Sequence, residues 1–168
     1  MGSFLRPQKL KEARKDFEAG KIDRAALTAV EDECIRELVA KQKELGYEVI
    51  TDGEFRRATW HLDFMWAFAG IGHRPTKTGL PFHGEQAMID DTYLTGKLYL
   101  DGEHPFVGHF RFVQALEDEN TVAKMTIPAP AQFLAQLIMP FAVENTRRFY
   151  PEDAELIEDL VAGYKKVI

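Results

Sequence analysis

The sequence predicts an α/β protein built as a portion of a larger α/β barrel, and three observations carry that expectation. A long apolar helical stripe ending at Gly46 runs directly into "YEVITDG", where Val49 and Ile50 form a short strand closed by a polar turn. Further on, "TVAKMTIP" reads as a second buried strand and feeds at once into the helix opening at "APAQFLAQLIMP". Finally, the chain of 168 residues offers two such strands and one further candidate against five or six helices. Strands that feed helices pair in parallel and need cover on both faces, so a sheet this small is expected to be part of something larger.

The elements follow in order. Pro7 suits the first turn of a helix, in which Leu10, Ala13 and Phe17 recur at three- and four-residue steps until Gly20 stops it. Asp23 caps a longer helix whose stripe is Leu27, Val30, Cys34, Leu38 and Leu45, flanked by Ile35 and Val39. After the strand at Val49–Ile50, the aromatic-rich segment from Glu54 to Phe68 is expected to be helical. Gly70, Gly72, Pro75, Gly79 and Pro81 then break the chain into loop. "TGKLYLDGEHPF" reads as a strand or hairpin arm, and His109 to Leu116 as a helix. "PEDAELIEDLVAGYKKVI" opens with a proline and acidic residues, as a helix N-terminus does, and has no stop signal before the last residue. No repeat, low-complexity tract or linker divides residues 1–168.

Composition narrows the function. A net charge of −6 without a basic stripe argues against a nucleic-acid surface. No apolar run reaches the roughly 18 residues that a membrane span needs, and the N-terminus lacks a secretory pattern. One cysteine, Cys34, allows no internal disulfide and no multi-cysteine metal site from this chain alone. A cytoplasmic protein is the expectation.

"GSFLRP" near the start, "VITDGEFRR", "WHLDF" after it and "TIPAP" at a later strand end together resemble the cobalamin-independent methionine synthase family, and specifically its shorter, single-barrel bacterial members. The resemblance runs in order along essentially the whole chain. It implies a (β/α)₈ TIM barrel with the active site at the C-terminal ends of the strands, of which this chain would be the N-terminal portion, truncated at both ends. In that reading the Gly-Ser turn directly follows the first barrel strand, and the chain begins where that strand ends.

The resemblance implies methyl transfer to the thiol of homocysteine to give methionine, with a methylated folate as donor. In the family a Zn²⁺ ion binds the substrate sulfur and holds it as thiolate. By resemblance, the backbone of Gly2 and Ser3 would grip the substrate carboxylate and Glu54 its ammonium. Trp60 and His61, with Asp63 and Phe64, would wall the pocket. The family's zinc ligands lie downstream of anything present here, so this chain is expected to hold the amino-acid cradle without the metal. A folate-stacking Trp is also missing after "MTIPAP", where Phe133 is the nearest aromatic.

The residues themselves leave blander readings open. Spacing alone makes Glu54 an exposed carboxylate at a helix start, Trp60 to Phe64 core, and Arg56 and Arg57 a surface pair. Cys34 reads as packing, and His73, His83, His104 and His109 as loop or surface histidines without metal spacing. Two further functions stay open beside the methyltransferase: a non-catalytic binding or assembly protein that keeps the cradle, and a barrel enzyme related to uroporphyrinogen decarboxylase. An incomplete barrel would expose sheet edges and favour self-association.

Overall fold

The computed structural model describes residues 2–76, 80–82, 85–87 and 90–168, and side chains outside 77–89. Gly79 and His83 of the sequence reading lie outside the described residues. The elements run α1 (Gln8–Glu18), α2 (Arg24–Glu44), β1 (Val49–Ile50), α3 (Leu62–Met65), β2 (Ala69–Arg74), β3 (Leu80–Phe82), β4 (Glu85–Ala87), β5 (Asp91–Tyr99), α4 (Pro105–Gln114), β6 (Val122–Ala123), α5 (Pro130–Ile138), α6 (Val143–Arg147) and α7 (Asp153–Val167). They divide into two compact units: 1–60 with 106–126, and 61–105 with 127–168.

The first unit packs α1 and α2 behind a two-stranded parallel sheet, β1 with β6, in the register Val49 to Val122 and Ile50 to Ala123. Local chemistry sets its helices as expected. The Asp23 carboxylate accepts the Ala26 amide at 2.8 Å and caps α2, and Gly20 and Gly46 take positive φ just beyond the two helix ends. Leu10, Leu27, Cys34, Ile35, Val39, Ile50, Phe55 and Val113 form its core, so Cys34 is a packing residue. Beneath this core the fully buried Glu31 carboxylate is met by Arg14, Arg24 and Arg56.

The second unit is built on aromatic rings. Phe64, Phe68, Phe133 and Tyr164 pack with centroids 5.2–6.3 Å apart, and the buried His104 ring lies 4.3 Å from Phe64. Helix α7 packs on β5 and α5. Gly163 on α7 allows this closeness, because a Cβ there would lie 2.5 Å from the Phe68 ring.

Four expectations are corrected. Residues 54–68 are not one helix: only Leu62–Met65 is helical, because Gly53 and Glu54 both take left-handed φ, +63° and +59°, which a right-handed helix excludes. The glycine-rich stretch after Phe68 is not loop throughout, since Ala69–Arg74 pairs antiparallel with β5 through a bulge. Its glycines permit the pairing. A Cβ on Gly70 would lie 2.2 Å from the Lys97 carbonyl oxygen, and one on Gly72 would lie 2.9 Å from the Tyr93 ring. The sheets are mixed rather than parallel only, with β2–β5 and β3–β4 antiparallel. Helix α4 starts at Pro105, ahead of the expected His109.

Candidate functional site

The site grows from the end of β1, where the Ile50 carbonyl still accepts the Lys124 amide at 2.9 Å and the chain then turns sharply. Gln42 on α2 clamps the strand end from both sides: its Nε2 donates to the Thr51 carbonyl at 2.9 Å, and its Oε1 accepts the Thr51 amide at 3.0 Å. The next two amides are taken up locally. Thr51 Oγ1 accepts from Gly53 N at 3.2 Å and Asp52 Oδ1 from Glu54 N at 2.9 Å, an arrangement that favours a turn over continued strand. Gly53 fits where a Cβ would strike Leu38 at 2.5 Å, and its carbonyl accepts the Phe4 amide at 3.1 Å.

Glu54 is the described non-glycine residue with positive φ. That conformation costs a non-glycine residue about 1–2 kcal/mol, and such strain gathers at functional positions. Its effect here is to carry the Glu54 side chain back over the start of the chain. Oε1 accepts from Thr126 Oγ1 at 2.8 Å and lies 3.4 Å from Arg57 Nη1. A Cβ on Gly2 would sit only 2.5 Å from the same oxygen, so the carboxylate occupies space that Gly2 leaves open.

Arg57 organises the surroundings. Its Nη2 donates to the Thr126 carbonyl at 2.5 Å and approaches Met125 Sδ at 3.1 Å. Its Nη1 donates to the Trp60 carbonyl at 3.2 Å, and the guanidinium lies over the Phe106 ring at 4.5 Å. Arg6 Nη2 donates to the Arg57 carbonyl at 2.7 Å and to the Glu54 carbonyl at 3.3 Å. The result is a largely buried carboxylate beside a fixed guanidinium and a hydroxyl, with both close contacts made by one of its two oxygens. Such a group can receive a cation in a place where water competes poorly. Burial also pushes the Asp52 carboxyl above the ordinary range, against the Glu54 amide and Arg57, which pull it down. A cleft of about 220 Å³ runs alongside β1, lined by Phe4, Gln42, Tyr47, Val49, Thr51 and Lys124.

Of the residues singled out from sequence, Gly2 and Glu54 come together although they are far apart in the chain. Ser3 follows Gly2 and is exposed. The Trp60 side chain is 52% exposed, and its carbonyl supports Arg57. His61 and Asp63 fall in the second unit, where burial lowers the His61 pKa, and Phe64 is core there. Arg56 and Arg57 are not a surface pair: both side chains are nearly buried, Arg56 against Glu31, Asp32 and Phe112. His104 is likewise buried rather than on a loop surface, with Nε2 3.0 Å from the Phe64 carbonyl, and burial lowers its pKa. Sequence reasoning missed Thr126, Asp52 and Arg6. Thr126 had a signal, as the residue opening "TIPAP" at the strand end that pairs with β1. Among the described residues no group of three or more His, Cys, Asp or Glu could hold a metal ion. No helix of the described residues is long and apolar enough to cross a membrane.

No protein-family model matches the chain. It is 34% identical to two proteins of Bacillus subtilis strain 168 called uncharacterized, YxjH and YxjG, over its full length and 42% and 43% of theirs. Among solved structures, a candidate vitamin-B12-independent methionine synthase from Listeria monocytogenes matches 98% of this chain with a TM-score of 0.74 and 30% identity, over 44% of its own length. A B12-independent methionine synthase from Shewanella sp. W3-18-1, solved with selenomethionine, matches 88% with a TM-score of 0.54. At 16% identity that second likeness speaks for the fold alone, and it spans 38% of the Shewanella chain. The chain thus spans less than half the length of the relatives it matches.

Proposed function

For a chain related to the vitamin-B12-independent methionine synthases along nearly its entire length, we propose that it forms the amino-acid-binding part of a homocysteine S-methyltransferase, the N-terminal half of a (β/α)₈ barrel whose reaction gives methionine. The observation that carries this reading is the meeting of the Glu54 carboxylate with the backbone of Gly2 at a strand end. An amino acid presents an ammonium and a carboxylate on one carbon. Glu54 takes the ammonium through the oxygen turned away from Thr126 and Arg57, and the amides of Gly2 and Ser3 take the carboxylate. Binding both ends of the amino acid fixes where the sulfur points, so this chain's contribution is orientation.

The zinc that activates the thiol in the family has no fitting ligand set among the described residues, with Cys34 sealed in the core. No step assigned to this chain runs through it. The methylated folate donor belongs to the same unassigned half of the reaction. Homocysteine and methionine are the proposed ligands.

Calorimetric titration of the full chain with homocysteine and with methionine tests the reading. A charge-assisted hydrogen bond contributes about 1.5–3 kcal/mol, so Glu54→Gln should weaken binding roughly tenfold or more, at about 1.4 kcal/mol per factor of ten. Equal affinity in wild type and Glu54→Gln would overturn the assignment of Glu54.

A further inference from the structure

The Asp52 side chain is 2% exposed, yet only one of its two carboxyl oxygens is repaid with a hydrogen bond. Oδ1 accepts the Glu54 amide at 2.9 Å, while Oδ2 is buried without a hydrogen-bond partner among the described residues. Arg57 acts on this carboxyl through its charge, while its guanidinium hydrogen-bonds the Thr126 and Trp60 carbonyls and pairs with Glu54. The hydrogen bond the Asp52 side chain makes holds the amide of a residue that sits at φ +59°, while its backbone carbonyl accepts the Phe55 amide at 3.3 Å. The other hydrogen bonds of the turn engage the Gly53 amide and the carbonyls of Gly53 and Glu54, not the Glu54 amide. Thr51 Oγ1 takes the Gly53 amide, Phe4 N donates to the Gly53 carbonyl, and Arg6 and the Arg57 amide share the Glu54 carbonyl. Glu54 N therefore has Asp52 as its anchor.

We propose that Asp52 is a positioning residue: by accepting the Glu54 amide it keeps Glu54 left-handed, and so keeps its carboxylate over Gly2 and against Thr126. A right-handed or extended Glu54 would swing that carboxylate away from the space Gly2 leaves open. The consequence for binding rests on the reading of Glu54 as the ammonium acceptor; the consequence for the backbone does not.

The test pairs Asp52→Asn, which retains a carbonyl acceptor, with Asp52→Ala, which does not, each in the wild-type chain and in a Glu54→Gly background where positive φ carries no penalty. Melting temperature and the deuterium exchange rate of residue 54 are read in all of them. Asp52→Ala should lower the melting temperature and speed exchange at Glu54 tenfold or more, while Asp52→Asn keeps both near wild type. In the Glu54→Gly background Asp52→Ala should cost much less, and folding of the double variant where Asp52→Ala alone fails would also support the coupling. Equal losses in both backgrounds, loss with Asp52→Asn as large as with Asp52→Ala, or failure of both Ala variants to fold overturns the proposal. In the variants that retain Glu54, homocysteine affinity should fall about tenfold with Asp52→Ala and hold with Asp52→Asn. Unchanged exchange behaviour with normal homocysteine binding refutes the Asp52 role, whereas the expected exchange pattern with no Glu54-dependent binding refutes only the function proposed for Glu54.

Discussion

The two units solve burial in opposite ways. In the first, buried charges are matched to one another: Glu31 to three arginines, Glu54 to Arg57 and Thr126, with Asp52 on a backbone amide. In the second, rings pack around the buried His104 imidazole. Dispersion and apolar burial tolerate many arrangements of similar shape, but a buried polar group demands a partner at one distance and angle. The first unit therefore defines positions sharply and suits a binding site, while the second supplies bulk stability.

Removing a ring should show the largest effect. Phe68→Ala takes a fully buried side chain from contact with Phe64, Phe133 and Tyr164 and should cost about 3–5 kcal/mol in chemical denaturation. A loss below about 1 kcal/mol would show that the second unit is not held by its aromatic core. In the first unit, Thr126→Val removes the hydroxyl from Glu54 Oε1 at nearly constant volume and should cost about 1 kcal/mol of stability. Its homocysteine affinity should change by more than its melting temperature suggests, and the reverse pattern would make Thr126 a structural residue.

Acidity separates the units with opposite signs. Burial holds His104 below the ordinary histidine range, so its neutral form stabilises the fold above about pH 6.5, and that contribution is lost as pH falls through the lower native value. Burial raises Asp52 and Glu31, and their contribution is complete below the unfolded carboxyl range of about 4 and lost as pH rises through the native values. Exchange protection near Phe64 should therefore weaken between pH 7 and pH 5, while that near Ile35 holds. His104→Asn should flatten the first trend, and parallel weakening in both units would break the comparison. Smallest of all is the surface: Lys9→Ala removes exposed pairs with Glu33 and Glu37 and should leave stability unchanged within measurement.

Sequence and structure agree where a residue acts through its own backbone. Asp23 as a cap, Gly20 and Gly46 as stops, and Gly53 as the turn before Glu54 all follow from local chemistry. They part where the deciding partner is distant. Gly70 and Gly72 read as strand breakers because the Lys97 carbonyl and Tyr93 ring that require them lie a hairpin away. Arg56 and Arg57 read as solvated because nothing local announces Glu31, Phe112 or Thr126. Glu54 itself was legible only through the family resemblance. Its left-handed backbone was not, since among non-glycine residues that conformation comes from the surrounding hydrogen bonds and not from residue type.

The most direct test of the central claim, that the strand-end turn is an amino-acid cradle, is a methionine titration of the isotope-labelled full chain followed by backbone amide shifts. The account predicts saturable shifts centred on Gly2, Ser3, Gly53, Glu54 and Thr126 that are lost in Glu54→Gln. Saturating methionine that leaves these amides unmoved, or that moves them equally in Glu54→Gln, would contradict it.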